Sequence, residues 1–404
     1  MKILIMHQVP YRKIQYHLGI DHERHDVWYF GAGHDLAQVP RDLRCTRVEV
    51  PGESDLASEI IARTAPADGF EQVLALSEFG ILEAARIREH LRIPGPSERK
   101  LELVRDKVAM KRAVAEAGVR HPRFVEVPDP GQPLPWDGRT VVKPRRGASS
   151  TGVSVHQTAA DALARYWSQE EPGAFELEEF VTGDMFHADG LVEHHAVTDL
   201  VVSRYIGRLA EFALGAPIAT VQIPTDPAHE RFIARALAGV CVDEGCFHLE
   251  YFQTPAGELV FLEVANRLGG AGIVDEFLRR TGVHLPTHEI AIRLGFERPE
   301  PEPPSGRFHG FALFPGHLFD PGRPLTLDIP GFVSGSPLVD EIHTLAEIEL
   351  SDGPGGKITY QEWLVPVFIA ASHPDPEVLA EFLTMCATAV SVRQEPVVTS
   401  EGVS

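Results

Sequence analysis

Short apolar runs alternate with segments of helical periodicity over the first hundred residues. The runs predict strands and the periodic segments predict helices, the strands at 3–6, 26–30, 47–50 and 72–76 and the helices at 55–63 and 79–91. Strands that alternate with helices indicate a parallel sheet covered by helices. The fingerprint GxGxxG is absent after the first strand, so this sheet is not expected to bind a dinucleotide.

Breaks rich in proline and glycine divide the rest of the chain. They lie at 93–97, 127–138 and 298–306, and the last of them is the clearest linker. Between and after the breaks, the patterns predict a helix at 101–118, ended by Gly118, and a strand–loop–strand unit at 140–155. They also predict a second helix at 159–166, strands at 176–181 and 365–372, and a last helix at 376–390. We therefore expect a small C-terminal subdomain after the linker.

Composition narrows the class of protein. The chain has 404 residues, of which 44% are hydrophobic, and this permits a large core and excludes general disorder. With 37 basic and 58 acidic residues, the net charge is −21, which argues against nucleic acid or an anionic membrane as a partner. No apolar run reaches about 18 residues, so the sequence predicts no membrane span, and it predicts no signal peptide.

The cysteines are few and show no metal-binding spacing. They are Cys45, Cys241, Cys246 and Cys386. We interpret them as small buried apolar side chains rather than as metal ligands or disulfide partners. Together with the missing signal peptide, this composition predicts a soluble protein of a reducing cytoplasm.

The loop between residues 145 and 152 (RRGASSTG) is the first chemical feature. Its two glycines permit close approach of a ligand to the backbone, and its hydroxyl residues add donors, so the loop can fold over phosphate groups. Lys143 lies on the apolar strand before the loop, where an unpaired charge is costly to bury and a phosphate would be its partner. An ordinary hairpin turn is the alternative, and the Walker A pattern is absent.

Two glutamates on apolar strands are the second feature. Glu250 lies in FHLEYF and Glu263 in VFLEVANR, and the TPAG sequence between these runs predicts a hairpin turn. Two antiparallel strands can place both carboxylates on one face. Mg²⁺ prefers such oxygen ligands and also binds phosphate oxygens. The alternative is a pair of solvent-facing side chains.

The order of these features along the chain resembles the ATP-grasp superfamily. The features are Lys107, Lys143, the glycine loop, an acidic strand at 178–181 (EEFV), Glu250 and Glu263. The segments 87–124 and 262–272 are typical of the two ends of that fold. The resemblance implies an α/β fold with α+β parts, built from an N-terminal parallel α/β domain, a two-lobed ATP-binding domain with a lid and a small C-terminal subdomain, at 1–103, 104–300 (lid about 122–182) and 301–404.

The resemblance also implies site residues, with ATP and Mg²⁺ (or Mn²⁺ in its place) as cofactors. The ATP phosphates would be held by two lysines, an arginine and the mobile loop, namely Lys107, Lys143, Arg145, Gly147, Ser149, Ser150, Thr151 and Gly152. The adenosine would contact Glu178, Glu179, Phe180, Val181 and Asp184. The metal ligands would be Glu250, Glu263 and Asn266. Arg267 and Lys143 would act on the transferred phosphoryl group.

Two positions depart from the family pattern. Met185 stands where family members often have an acidic ribose contact, and Asp184 beside it is the candidate substitute. Ala265 stands where they often have the metal-binding asparagine. Asn266 follows one residue later, where strand alternation turns it to the other face. This departure predicts fewer protein ligands for the second metal.

The family implies a reaction. ATP-grasp enzymes make a carboxylate reactive as an acyl phosphate, which an amine can attack to form an amide, with ADP and phosphate as by-products. The layout resembles the carboxylate–amine ligases, including bacterial L-amino-acid ligases, so we expect amino acids or small carboxylic acids as substrates in a biosynthetic role. A homodimer and a carrier-bound carboxylate are left open.

Residues that would contact the substrates are weakly marked in the sequence. The candidates are Glu78, His187, Gly269, Gly270 and Glu276, with Asp275 near the amine. Helix-start acids and a core histidine are the alternative explanations. We interpret His17, His22 and His25 as surface residues, and Tyr11, Arg12 and Lys13 as rim contacts for an anionic substrate.

Three other functions compete with the ligase. A biotin carboxylase-like or purine-pathway carboxylase would activate bicarbonate. An ATP-binding protein without ligase activity would explain Met185 and Ala265. A kinase would release a stable phosphorylated product and would need no amine.

Overall fold

The computed structural model describes residues 1–51, 55–148, 150–348 and 365–394. Its N-terminal part is a parallel four-stranded sheet in the order β3-β2-β1-β4, as the alternating pattern predicts. The strands are β1 (Lys2–Met6), β2 (Asp26–Gly31), β3 (Thr46–Glu49) and β4 (Gln72–Ala75). The helices are α1 (Tyr11–Ile14), α2 (Gly33–Leu36), α3 (Leu56–Arg63) and α4 (Gly80–Leu91).

Both faces of this sheet are covered, because successive side chains of β1 enter different cores. Ile3 and Ile5 pack in one apolar cluster, and Leu4 and Met6 pack in another. His22 is buried as well, and its ring bonds the Tyr29 hydroxyl at 2.9 Å. The interpretation of His22 as a surface residue was therefore wrong.

The helix predicted over 101–118 is interrupted. The structure has α5 (Glu98–Leu101), a short 3-10 turn and then α6 (Lys107–Glu116). Asp106 causes the restart, because its carboxylate accepts hydrogen bonds from the amides of Val108 and Ala109 at 2.9 and 3.1 Å. The interruption places Lys107 in the first turn of α6.

A small antiparallel sheet lies within the segment predicted as the lid. Its order is β5-β8-β6-β7, and α7 packs on it. The elements are β5 (Phe124–Val125), β6 (Thr140–Pro144), β7 (Ser154–His156), α7 (Ala159–Trp167) and β8 (Phe175–Glu179). A separate apolar cluster forms its core, with Trp136, Val142, Tyr166 and Leu177 among its members.

The centre of the molecule is an antiparallel eight-stranded sheet in the order β13-β12-β9-β10-β11-β14-β17-β16. The elements up to the linker are β9 (Asp184–Glu193), β10 (Ala196–Ile206), α8 (Leu209–Phe212), β11 (Ile218–Ile223), α9 (Pro227–Gly239), β12 (Gly245–Gln253), β13 (Leu259–Ala265), α10 (Ile273–Thr281) and α11 (Leu285–Leu294). The β12–β13 hairpin confirms the turn predicted at TPAG.

Three of the C-terminal strands, β14, β16 and β17, extend this sheet, whereas β15 and β18 pair with each other in a separate two-stranded sheet. Strand β14 pairs with β11 on one side and β17 on the other, across the linker at 298–306. The elements here are β14 (Phe308–Phe314), β15 (Leu325–Asp328), α12 (Gly331–Ser334), β16 (Val339–Thr344), β17 (Val367–His373), α13 (Pro376–Ala389) and β18 (Ser391–Gln394). The domain boundaries given above stay predictions.

Two further sequence-based expectations bear on the fold. Cys246 and Cys386 are buried as interpreted, but Cys241 is exposed, and the four cysteines are free thiols. None of the described helices is long and apolar enough to cross a membrane.

Candidate active site

Two cavities meet beside the central sheet. The first, of about 400 Å³, lies between the small sheet and the central sheet, and the second, of about 600 Å³, lies over β11, β14 and β17. Their common lining residues are Ala148, Ser150, Tyr205, Leu209, Glu250 and Glu263. A ligand in either cavity would therefore approach the same two carboxylates.

The two carboxylates lie directly opposite each other. Glu250 on β12 pairs with Glu263 on β13, and directly paired residues of antiparallel strands project to the same face. The hairpin thus brings the two glutamates together as its sequence predicts. Two adjacent carboxylates supply hard oxygen ligands, which fit a divalent cation such as Mg²⁺.

A chain of buried polar groups supports Glu250. The Tyr205 hydroxyl donates to Glu250 Oε1 at 2.8 Å, and His248 Nε2 lies 3.4 Å from the same oxygen. Nδ1 of both His248 and His187 faces the buried carboxylate of Asp189, at 2.8 and 2.5 Å. Burial alone would lower the pKa of His248, but Asp189 and Glu250 outweigh it and raise that pKa to about 10. The two carboxylates therefore favour the protonated form of this ring.

Lys107 links the second carboxylate to the glycine loop. Its ammonium lies 3.3 Å from Glu263 Oε2 and donates to the carbonyl of Gly147 at 2.9 Å. Burial opposes ionisation of Glu263, but Lys107 and then Lys143 outweigh it and hold the pKa of that carboxyl below its usual range. A phosphate group in the first cavity would meet the same two lysines.

Lys143 belongs to a buried cluster of alternating charge. It lies 2.8 Å from Glu178 Oε1, and the fully buried Lys111 donates to both Glu178 and Glu176. Burial disfavours the charged form of Lys143, yet Glu178 outweighs it and raises the pKa of that amine. Burial, followed by the charge of Glu178, raises the pKa of Glu176 to about 7. The Glu178 side chain is thus committed to lysines, although it was predicted to contact adenosine.

Sequence reasoning missed Lys111, Tyr205 and His248. Lys111 lies one helical turn after Lys107, on the buried face of α6 with Val108, Met110 and Val114, and a second charge on that face was the available signal. His248 did carry a signal, because it lies two residues before Glu250 on β12 and strand alternation places both on one face. Tyr205 carried none, since only the pairing of β9 with β12 and with β10 brings it near Glu250.

The segment from the end of β8 to the start of β9, residues 179–185, contributes to the lining of the first cavity. Glu179 is nevertheless paired through its carboxylate with Arg120 and Arg123, each at 2.6 Å, so its side chain is committed elsewhere. The other lining residues of this stretch are Phe180, Val181, Gly183, Asp184 and Met185. Asp184, the candidate for the ribose contact, and Met185, which departs from the family pattern, thus both lie at the cavity.

The glycine loop divides into residues that reach the first cavity and residues that do not. Gly147, Ser150 and Thr151 line it, whereas Ser149 lies outside the described residues. Gly152 turns the chain at a φ of 74°, and a Cβ there would lie 3.0 Å from Pro144 Cγ, so its role is conformational.

Arg145 departs from its predicted role. Its guanidinium pairs with Asp106 at 2.7 Å and with Glu126 at 2.5 Å, and it is not among the residues that line the first cavity. These carboxylates hold the guanidinium outside the first cavity, although the Arg145 carbonyl accepts a hydrogen bond from the Lys107 amide at 3.0 Å.

Asn266 also departs from its predicted role. Its amide donates to the carbonyls of Glu244 and Cys246 at 3.1 and 2.7 Å and accepts from Arg293 at 3.1 Å. These bonds hold the side chain on the face opposite Glu263, as strand alternation requires. The structure therefore does not bring Asn266 to the carboxylate pair.

Arg267 lines the second cavity and is held there by Glu78. Glu78 Oε2 accepts from Arg267 Nε and Nη2 at 2.8 and 2.7 Å, and its other oxygen accepts from Arg105. Glu78 was predicted to contact the substrate. Because its carboxylate is committed to two arginines, it positions Arg267 instead.

Some of the remaining candidate residues line the second cavity, and the others do not. Gly270, Asp275, Arg12 and Lys13 line the second cavity. Gly269, His187 and Glu276 do not. A Cβ on Gly269 would lie 2.6 Å from Asp189 Oδ1, and His187 bonds Asp189 and Thr220 in the interior. Glu276 is buried 3.2 Å from the ring of His309, and burial raises the pKa of its carboxyl.

Comparison with known proteins gives a consistent picture. No protein-family profile matches the chain. An L-arginine-specific L-amino acid ligase of Bacillus subtilis is 23% identical over 223 residues, so the match spans about half of each chain, 50% of this one and 53% of the relative.

Solved structures match over nearly the whole chain. The L-amino acid ligase of Bacillus licheniformis superposes with a TM-score of 0.69 at 17% identity, over 98% of both chains. The biotin carboxylase domain of the Hydrogenobacter thermophilus 2-oxoglutarate carboxylase, solved with MgADP and bicarbonate, gives 0.64 at 14% identity, over 97% of this chain and 90% of the other. The chain therefore has the ATP-grasp fold, which it shares with these ligase and carboxylase structures.

Proposed function

We propose that this protein is an ATP-dependent carboxylate–amine ligase, which joins an amino acid or small carboxylic acid to an amine and releases ADP and phosphate. The observation that carries the proposal is the position of Glu250 and Glu263 where the two cavities meet. One cavity has lysines and a glycine loop for a nucleotide, and the other has Arg267 and room for organic substrates. The similarity to two amino acid ligases supports the same reaction.

The residues around the first cavity fit ATP and Mg²⁺. Lys107 and Lys143 offer two cations to phosphate oxygens, and Gly147, Ala148 and Ser150 of the glycine loop line the cavity beside them. The opposed carboxylates of Glu250 and Glu263 would hold the metal. When bound, Mg²⁺ neutralises charge that develops on the phosphoryl oxygens.

The proposed reaction overcomes a poor leaving group. A carboxylate oxygen of the acid takes the terminal phosphoryl group, whose bond to ADP breaks. The amine nitrogen then attacks the carbonyl carbon, the C–O bond breaks with its electron pair on phosphate, and the amine gives up a proton. The product is an amide. A carboxylate without this phosphorylation would have to expel an oxide ion.

The chain itself supplies positioning and charge. Arg267 lies on the second cavity, where it would stabilise the negative charge of the phosphoryl group, and Lys143 faces the same group from the first cavity. Lys107 holds the glycine loop through the Gly147 carbonyl, so the loop lies over the junction and limits access of water.

Release of ADP and phosphate from Mg·ATP tests the proposal. We would screen pairs of amino acids and small carboxylates, with bicarbonate alone as a separate arm. Release that needs both an acid and an amine is expected. Glu263→Gln should abolish it, whereas Glu258→Gln, which changes an exposed carboxylate in the same hairpin, should not.

Each of the other outcomes of this assay would indicate a different function. Release with bicarbonate alone would indicate a carboxylase, and release with an acid but without an amine would indicate a kinase. Tight binding of ATP without turnover for any pair would contradict the ligase. We also propose a homodimer, which light scattering would test.

A further inference from the structure

The floor of the second cavity is a face of the central sheet, and its chemistry follows from strand register. Ile218, Leu313, Phe368 and His343 are directly paired in sequence across β11, β14, β17 and β16. Directly paired residues project to the same face, and all four line the cavity. They form one row across four strands.

A second row runs beside the first. Tyr205, Thr220 and Phe311 are directly paired across β10, β11 and β14, and all three line the cavity. Thr220 and Phe311 lie two residues from Ile218 and Leu313, so both rows share one face. The floor is thus polar at Tyr205, which contacts Glu250, and apolar over the next three strands.

Strand spacing gives the floor a scale. Neighbouring strands lie about 4.8 Å apart, so the apolar stretch from β11 to β17 is roughly 10 Å wide and begins about 5 Å from Tyr205. The Phe311 and Phe368 rings stack at 5.6 Å between centroids. A Cβ on Gly272 would lie 2.9 and 2.8 Å from these rings, so the backbone of Gly272 packs directly against part of them and bounds the floor on that side.

Glu341 lies at the far edge of the floor, and its carboxylate already has two partners. Glu341 Oε2 lies 3.3 Å from Arg279 Nη2, and its Oε1 lies 2.6 Å from His343 Nε2. A guanidinium or ammonium on a substrate side chain would have to displace them. Between Tyr205 and this edge the floor itself, at Ile218, Leu313, Phe311 and Phe368, offers apolar atoms. The other acid beyond Tyr205 on the described lining, Asp275, lies exposed in the first turn of α10.

We infer that one of the two substrates is an α-amino acid with a bulky apolar side chain, aromatic or branched aliphatic, which lies on Ile218, Leu313, Phe311 and Phe368. The inference rests on the proposed ligase function and specifies its substrate class. The reacting group of this substrate lies toward Tyr205 and Glu250, and its side chain extends along the apolar floor. Burial of that side chain supplies the preference over polar amino acids.

Calorimetric titration of the protein loaded with Mg·ADP tests the inference. The ligands are L-phenylalanine, L-leucine, L-arginine and L-glutamate. We expect phenylalanine or leucine to bind at least tenfold more tightly than arginine and glutamate. Phe368→Ala should weaken that binding at least tenfold, while the affinity for Mg·ADP stays unchanged.

Two further variants separate this effect from misfolding. Phe332→Ala makes the same replacement at an exposed phenylalanine on α12 and should change nothing. Phe368→Leu keeps apolar volume and should give an intermediate loss for phenylalanine. Thermal unfolding of each variant shows whether it is folded.

The inference and the proposed function fail in different ways. Equal or tighter binding of arginine or glutamate, no binding of any of the four, or an unchanged affinity in Phe368→Ala would overturn the substrate class. Binding of phenylalanine that Phe368→Ala removes, without ADP release for any acid and amine, would contradict the ligase and leave the substrate class standing.

Discussion

Glu78 and Arg267 lie 189 residues apart in the sequence, yet one carboxylate oxygen of Glu78 accepts two hydrogen bonds from Arg267, at 2.7 and 2.8 Å. Its other oxygen accepts from Arg105. Glu78 follows β4, so the edge of the N-terminal parallel sheet sets the position of a residue that lines the second cavity. The N-terminal sheet therefore contributes to the site without contacting a ligand itself.

Glu78→Gln should lower kcat for ADP release by about tenfold to a hundredfold, because a misplaced Arg267 stabilises the phosphoryl group less well. The KM for ATP should change little, since the nucleotide cavity is unaltered. Steady-state kinetics with the best substrate pair would measure both. Glu71→Gln, an exposed glutamate just before the same strand, is the matched control. An unchanged kcat would show that Arg267 needs no such support.

Lys111→Met should lower the free energy of unfolding by about 3–5 kcal/mol, because it leaves Glu176 and Glu178 buried with one cation fewer. Denaturant unfolding would measure the loss. Adding Glu176→Gln should recover part of it, since this removes one of the two buried charges. A cost below about 1 kcal/mol for Lys111→Met, the range of an exposed pair, would contradict the buried cluster.

Asn266→Ala should destabilise the protein but leave its Mg²⁺ requirement unchanged. The loss in unfolding free energy should be about 1–3 kcal/mol, because the carbonyls of Glu244 and Cys246 lose their donor. Glu250→Gln should instead raise the Mg²⁺ concentration needed for half-maximal ADP release. A comparable rise in Asn266→Ala would mean that Asn266 reaches the metal after all.

His7 should make stability depend on pH. Burial lowers the pKa of this histidine to about 4, from an ordinary value near 6.5. Above pH 6.5 the ring is neutral in both states, so its contribution is fully present. Between pH 6.5 and 4 the unfolded chain gains a proton that the folded chain does not, and stability falls.

The loss at His7 should reach roughly 3 kcal/mol by pH 4. His7→Phe keeps a ring among Tyr11, Tyr16 and Tyr29 but cannot take up the proton. Unfolding curves of both proteins at pH 7 and pH 4 measure the difference. Equal losses in the two proteins would exclude His7 as their source.

Local sequence patterns predicted the strands, helices and turns that depend on interactions between residues close in the sequence. The alternating strands, the α3 and α4 helices and the β12–β13 hairpin follow from periodicity and turn residues, and the hairpin alone predicts that Glu250 faces Glu263. The helix break before Lys107 was missed because one aspartate, Asp106, competes with an otherwise continuous helical pattern.

Contacts between distant segments could not be read in the same way. Lys111 meets Glu176 and Glu178 across 65 and 67 residues. The family resemblance implies that Arg145 holds phosphate, but the fold pairs its guanidinium with Asp106 and Glu126. The packing of the whole chain determines which carboxylate pairs with a buried cation. Spacing along the sequence therefore does not predict the pair.

The ladder between β11 and β14 constrains how this protein can be recombined. A chimera joined in the 298–306 linker would import three of the eight strands of the central sheet, and its first strand would have to match the register of β11 before Ile218 could meet Leu313. The four-stranded sheet at 124–179 has its own core and no such partner strand among the described residues. We therefore expect the small sheet to be the easier one to exchange. A change in the substrate side chain that the second cavity prefers would need substitutions on each strand of its floor.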